Sequence, residues 1–342
     1  MKNFQQVNVG VIGVGWFGEK HAQVYNNLSG SNLIGVFDTN TETKNRVASA
    51  LGVQSFSTIN DLLADDSIDA VSICVKDQYH LQPVLAAAKA GKHIMLEKPM
   101  ALNLEECNEM INAVKAAGVK LMLGHLLRFN QRIVRASYKI RAGEIGDIRH
   151  IYARRNMPTS APRHVGDSCG FHSMLFHGAV HELDLLQWLA NDDIVEVFAR
   201  HQSGIMESEN VHVSDTILTY LQFRNGAAAI TEHSWIYPDN FPAMVDARTD
   251  ITGTHGRIEL DLGFRGGRIY NEKGVEYFEN PHWPVIDDWY SCDLRDELET
   301  FIKCVSLDLP VPVTGADGRR AIAVALAIEA SMNSKKVEQV ES

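Results

Sequence analysis

The strongest constraint on this chain is a turn of three glycines near its start, Gly13-Val14-Gly15-Trp16-Phe17-Gly18, directly behind a β-branched run at residues 7–12. The run reads as a buried strand and residues 16–28 as a helix. A GxGxxG alone arises by chance, but between a strand and a helix each of its positions has a physical task. The first glycine permits the tight turn, the second lets the backbone approach a pyrophosphate, and the third lets the helix pack close to the strand. Free N–H groups at the helix start then face the phosphates. Asp38 ends the next strand, residues 33–37, where a carboxylate accepts hydrogen bonds from both hydroxyls of an adenosine ribose. It also repels a 2′-phosphate. The turn is therefore expected to bind NAD in preference to NADP, with Gly13, Gly15, Trp16, Phe17, Gly18 and Asp38 as cofactor contacts. Thr39 and Asn40, with Lys44 or Arg46 as neutralising cations, are the features that would instead admit the phosphate.

The alternation continues. Apolar strands are predicted at 70–75, 93–96 and 119–123, and helices at 41–51, 79–90 and 104–117. Strands that are apolar throughout and separated by helices belong to a parallel sheet covered on both faces. After residue 125 the rhythm changes to a helix at 129–141, an alternating strand at 147–155 and a helix at 176–189. Strand-like runs follow at 194–200, 216–223, 227–235 and 251–260, and late helices at 294–305 and 319–332. Arg224-Asn225-Gly226 joins two of those runs, and Asn-Gly is a strong hairpin signal. The expected fold is α/β. Residues 1–125 form a Rossmann domain with a doubly wound parallel sheet. Residues 126–342 form an α+β domain with a large, open, mainly antiparallel sheet, whose last helix is a candidate to pack back on the Rossmann domain.

Charge and cysteine content exclude other classes. A net charge of −11 repels phosphate backbones and anionic membranes, so neither nucleic acid nor a membrane is an expected partner. No apolar run approaches the roughly 20 residues that span a bilayer. The five cysteines are odd in number and form no CxxC pair, which suggests neither a disulfide framework nor a zinc knuckle. The apolar stretch 9–17 is broken by glycines and no small-residue cleavage site follows it, unlike a signal peptide. A cytoplasmic protein is the expectation.

Further motifs extend along the chain: Ala87-Ala88-Lys89-Ala90-Gly91-Lys92-His93 leading to Glu97-Lys98-Pro99, then Gly124-His125-Leu126-Leu127-Arg128-Phe129, His181-Glu182-Leu183-Asp184 and Ala316-Asp317-Gly318-Arg319-Arg320-Ala321. With these the sequence resembles the glucose–fructose oxidoreductase and inositol dehydrogenase family (Gfo/Idh/MocA) over essentially its whole length. The resemblance implies oxidation of a secondary alcohol of a sugar or cyclitol by a nicotinamide cofactor. It also implies a homodimer or homotetramer built through the C-terminal sheet. The lysine of the family's Glu-Lys-Pro contacts the reacting oxygen, a role that falls to Lys98; a histidine on the later helix takes the proton, a role that falls to His181. The residues agree with this reading. Lys98 follows an apolar strand at the carboxyl edge of the parallel sheet, where a cation stabilises a developing alkoxide. Burial and a nearby nicotinamide cation would lower its pKa, and Glu97 would orient it or contact the cofactor. His181 titrates near neutrality, and Asp184 sits one turn later, to orient it or to bind substrate.

Two segments depart from the family pattern. His177 stands where many members carry the substrate-binding aspartate of DxGxH. Lys76-Asp77-Gln78-Tyr79-His80 replaces a Thr-Pro turn, which makes Lys76 and His80 candidates near the nicotinamide. Arg128 and Arg155 are further candidate substrate contacts. Together with Arg154, Arg163 and His164, Arg155 would favour an anionic substrate if these side chains faced the cleft. A metal enzyme using His177 and His181, with His164 or His172, is the first rival. Gly178 occupies the place where the metalloprotease helix needs glutamate, so no metal is expected. A non-catalytic NAD-binding sensor or scaffold is the second rival. Glycoside hydrolysis with internally recycled NAD is a third possibility within the family.

Overall fold

The computed structural model describes residues 5–165, 174–208, 211, 213–241, 243–263, 268–272, 274–277, 282–286 and 289–341. The chain divides into two compact units, residues 1–126 with 283–319, and residues 127–282 with 320–342. The segment 283–319 counts with the first unit.

The first unit alternates strands and helices. In chain order they are β1 (Val7–Ile12), α1 (Gly18–Asn27), β2 (Ser31–Phe37), α2 (Thr41–Leu51), β3 (Gln54–Ser55), α3 (Ile59–Leu63), β4 (Ala70–Ile73), α4 (Leu81–Lys89), β5 (His93–Leu96), α5 (Leu104–Ala117) and β6 (Leu121–Leu123). The sheet runs β3-β2-β1-β4-β5-β6 and every neighbouring pair is parallel. Its order reverses between β1 and β4, the point at which open α/β sheets bind ligands beyond the strands' carboxyl ends. Val9, Val11, Ile12, Val71, Ile73, Ile94, Met95 and Leu96 are fully buried, as strands covered on both faces require. Helix ends follow local chemistry. Asn40 and Asn103 cap α2 and α5 by accepting the Thr43 and Glu106 N–H groups, and Gly52 and Gly118 close the same helices in the left-handed region.

The second unit opens with α6 (Gln131–Arg141), β7 (Ile148–Pro158) and α7 (Ser160–Val165). A π-helical turn, Met174–Ala179, runs into α8 (Val180–Ala190). Then come β8 (Ile194–Gln202), α9 (Ile205–Ser208), β9 (Thr216–Phe223), β10 (Ala228–Tyr237), β11 (Asp246–Gly253) and β12 (Arg257–Asp261). Two short ribbons pair β13 (Arg268–Asn271) with β14 (Gly274–Tyr277) and β15 (Val285–Ile286) with β16 (Trp289–Tyr290). The chain ends with α10 (Asp293–Ser306), α11 (Gly315–Ser334) and β17 (Glu338–Gln339). The large sheet runs β12-β11-β7-β10-β9-β8-β17, antiparallel except for the central pair β7 and β10. The Asn225-Gly226 turn joins β9 to β10 as expected, with Gly226 at φ 90°.

Residues 251–260 are not the single strand the pattern suggested. Gly253-Thr254-His255-Gly256 folds them into the β11–β12 hairpin, whose turn is closed by Gly253 N–H donating to the Gly256 carbonyl at 2.9 Å. Among the described residues no helix is long and apolar enough to cross a membrane.

Helix α10 packs against α1 and β1 in the first unit and buries Phe301 completely. Phe301→Ala should therefore destabilise the protein by about 3–5 kcal/mol, measured by urea unfolding. A loss within experimental error would show that α10 is not part of that core.

Candidate active site

In the first unit the glycine turn sits at the carboxyl end of β1. Gly13 has φ 85°, and a Cβ there would meet the Cys74 carbonyl at 2.8 Å. A Cβ on Gly18 would overlap the Gly13 carbonyl, whereas one on Gly15 would meet nothing within 4 Å. The first and third glycines are thus demanded by the protein itself, and the second borders open space. Asp38 fixes this turn: Oδ2 accepts the Val14 N–H and Oδ1 the Asn40 N–H, each at 2.8 Å. Each carboxylate oxygen keeps a second acceptor site, so the turn and its acid fit the pyrophosphate and diol of a dinucleotide.

The cations that could neutralise a 2′-phosphate are engaged elsewhere. Arg46 grips both oxygens of Glu19 at 2.8 and 2.7 Å. Lys44 is buried and donates to the Phe56 carbonyl at 2.8 Å. Trp16 is 68% exposed, with the Lys20 ammonium 4.0 Å above its ring. Phe17 meets Trp283 edge-on at 5.4 Å.

Glu97 and Lys98 leave the end of β5 beside β4, and the Glu97 N–H donates to the Ile73 carbonyl at 3.0 Å. Lys98 is half-buried, and its backbone N–H donates to Glu97 Oε2 at 3.2 Å. The two candidates in the 76–80 loop separate. Lys76 is exposed. His80 is buried, with Nδ1 2.9 Å from the Pro99 carbonyl and Nε2 3.1 Å from the Val75 carbonyl. Carbonyls only accept, so His80 ties the lysine turn to the end of β4 rather than facing solvent.

Beneath that turn lies a polar cluster. His21 is fully buried on α1, with Nδ1 2.8 Å from Ser72 Oγ and Nε2 3.2 Å from Glu97 Oε1, the latter off the ideal hydrogen-bond angle. His21 is pushed up to about 10: burial opposes its charge, and the neighbouring Cys74 and Glu97 outweigh it.

In the second unit α8 carries His181, Glu182 and Asp184, and the π turn before it carries His177. Such turns widen a helix and are frequent at functional sites. Both histidines are half-buried, and the His177 ring meets Trp235 edge-on at 6.3 Å. Three expected substrate contacts meet carboxylates or one another. Asp184 receives Arg128 through Nε at 2.8 Å and through Nη2 in a short second contact, both residues buried. Arg155 Nε lies 2.8 and 2.9 Å from the two Glu182 oxygens, and His233 approaches the same carboxylate at 3.5 Å. Arg154 forks onto Asp246 at 2.9 and 3.1 Å. His172, Cys169 and the side chains of Arg163 and His164 lie outside the described residues. Among those described, no three His, Cys, Asp or Glu side chains are grouped to hold a metal.

A six-stranded parallel sheet whose first turn is shaped for a dinucleotide defines the NAD-binding domain of an oxidoreductase. The comparisons narrow the class. The GFO/IDH/MocA oxidoreductase family, NAD-binding Rossmann fold, matches residues 7–125, and the GFO/IDH/MocA C-terminal domain matches residues 133–259. The chain belongs to this family. It is 26% identical to a myo-inositol 2-dehydrogenase of Thermotoga maritima, over 98% of this chain and 99% of that protein. It is 30% identical to a 2,7-anhydro-N-acetylneuraminate hydratase of Escherichia coli, over 77% of this chain and 70% of that protein. A crystal structure of a probable dehydrogenase from Thermotoga maritima superposes with a TM-score of 0.84 at 26% identity, covering 97% of this chain and 98% of that one.

His21, Ser72, Glu297 and the Glu19–Arg46 pair escaped the sequence reading. His21 left one trace, since with Gly18 and Tyr25 it lies on the helix stripe that faces the sheet.

Two expectations follow. Gly18→Ala should lower NAD affinity at least about tenfold and reduce stability, read by tryptophan fluorescence titration and thermal melts. Affinity equal to the wild type would remove the third glycine from the turn. Because the folded pKa of His21 lies above its ordinary 6.5, its contribution to stability is fully present below about pH 6.5 and is lost as pH rises through about 10. The melting temperature should accordingly fall over that range more steeply in the wild type than in His21→Gln. Parallel curves would contradict the assigned charge.

Proposed function

We propose that this protein is an NAD-dependent dehydrogenase that oxidises a secondary hydroxyl of a cyclitol or neutral sugar. The observation that carries the reading is the placement of Lys98 at the carboxyl end of β5, one strand from the switch point where the Gly13 turn and Asp38 fit NAD. Bound NAD supplies the hydride acceptor. Gly13, Gly15, Trp16, Phe17, Gly18 and Asp38 would hold the dinucleotide, Asp38 offering a ribose diol the acceptor capacity left beside the Val14 and Asn40 amides. The Lys98 ammonium stabilises charge that develops on the substrate oxygen as hydride leaves. His181 accepts the hydroxyl proton. His177 offers a neighbouring hydroxyl one hydrogen bond where many relatives offer a carboxylate.

Two features support a neutral substrate. Arg128, Arg154 and Arg155 each face a carboxylate in the second unit, which leaves their charge matched without an anionic ligand. The full-length likeness to a myo-inositol 2-dehydrogenase points the same way. Inositol-type cyclitols are therefore the first substrates to try.

The open sheet supports a homo-oligomer. Phe198, Tyr220, Ile230 and Tyr152 are successive cross-strand partners on β8, β9, β10 and β7, and Tyr220, Ile230 and nearby Leu218 are exposed. An apolar row of this kind is a surface for a second copy of the sheet. The free cysteines Cys74, Cys107, Cys292 and Cys304 suit a reducing cytoplasm.

A screen of inositols, polyols, sugar acids and nucleotide sugars with NAD, followed at 340 nm, should give NADH with a cyclitol or neutral sugar. Production from anionic sugars alone would overturn the substrate assignment. Lys98→Met should abolish turnover with NAD affinity unchanged, and near-wild-type turnover would remove Lys98 from the chemistry. Ile230→Lys should lower the mass seen by light scattering to that of a smaller species. An unchanged oligomer would move the interface elsewhere.

A further inference from the structure

We propose that the buried His21–Glu97 pair, backed by Glu297, is a positioning device for Lys98: Glu97 takes the Lys98 backbone N–H on one oxygen while His21 holds the other. The inference deepens the dehydrogenase reading, on which the catalytic role of Lys98 rests.

The geometry is specific. Glu97 lies only 6% exposed, with Oε2 3.2 Å from the Lys98 backbone nitrogen and Oε1 3.2 Å from His21 Nε2. The other His21 nitrogen is fixed by Ser72 at 2.8 Å. The carboxylate is also shaped from the far side. A Cβ on Gly124 would stand 2.7 Å from Glu97 Oε1, so only glycine at the exit of β6 leaves Glu97 in this pose. The arrangement spans four elements, α1, β4, β5 and the turn after β6, and closes around the residue that immediately precedes Lys98.

Every group facing the pair can be named. His21 and Tyr25 come from α1, Ser72 and Cys74 from β4 and its end, and Asp293 and Glu297 from α10. Glu297 is wholly buried, and neither of its carboxyl oxygens has a hydrogen-bond partner among the described residues. Burial, with Glu97 and Asp293 adding to it against the opposing pull of His21, holds its pKa well above the ordinary carboxylate range. An acid pushed toward its neutral form adds less negative charge beside Glu97. Buried polar contacts of this kind hold one backbone conformation more firmly than hydrogen bonds at the surface. A lysine that stabilises an oxyanion loses effect with small displacements.

Two measurements test this on the full chain. In the first, His-labelled protein is followed by 15N NMR, with the His21 resonance assigned from His21→Gln. His21 should show two protonated nitrogens from pH 6.5 to 9, and in Glu97→Gln it should lose its second proton within that range. A neutral His21 in the wild type at pH 7 would overturn the proposal, whatever the enzyme's substrate. In the second, Glu97→Gln should lower kcat about 10- to 100-fold, with KM and NAD affinity within about threefold of wild type, and shift the pH–kcat profile. Should Glu97→Gln fail to fold, Gly124→Ala, which displaces the carboxylate without removing it, should produce the same loss of kcat. A normal kcat and pH profile in a folded variant of either kind would show the pair to be structural only. Absence of turnover by the wild type on every polyol would instead count against the dehydrogenase reading and leave the NMR result to decide the pair.

Discussion

The carboxylate of Asp38 holds the first unit's business end together. One oxygen takes the amide of Val14 inside the glycine turn and the other takes the amide of Asn40 at the start of α2, each at 2.8 Å. A single side chain therefore joins the turn after β1 to the turn after β2. Glycines at both ends of the turn leave its backbone few steric limits, and Gly13 occupies a left-handed conformation. Without an external clamp its amides would wander. With it, the turn is organised before any ligand arrives, which lowers the ordering cost of binding.

The same economy of charge runs through both units. Arg46 meets Glu19, Arg128 meets Asp184, Arg154 meets Asp246 and Arg155 meets Glu182. Several of these groups are buried, where an unpaired charge costs several kcal/mol. Such pairs position helices and strands and withhold their cations from ligands. Lys98 differs in placement, at the end of a strand and half-exposed, next to a carboxylate whose own charge is shared with His21.

Much of this was legible in the sequence because its signals are local. The strand, glycine turn, helix and Asp38 lie within one βαβ unit. The capping asparagines, the closing glycines and the Asn225-Gly226 turn each act over a few residues. What was missed depends on distance along the chain. Glu297 reaches the Glu97 neighbourhood from two hundred positions away, through a helix that counts with the first unit. The destinations of Arg128 and Arg155 could not be read either, since Asp184 and Glu182 lie on a helix whose facing is set by tertiary packing. The Gly253–Gly256 turn was obscured because the flanking residues alternate as one strand would. His80 lies in the loop after β4, but nothing local says that its ring turns inward onto carbonyls.

The most direct test of this account is a pair of calorimetric titrations of the wild-type protein, one with NAD and one with NADP. If the Asp38 carboxylate, held by the Val14 and Asn40 amides, receives the ribose, with Arg46 and Lys44 committed elsewhere, NAD binds at least about tenfold more tightly, since a 2′-phosphate there meets an unneutralised carboxylate. Equal or tighter binding of NADP would contradict it, because the turn and its acid could not then be arranged around the coenzyme in the way the residues indicate.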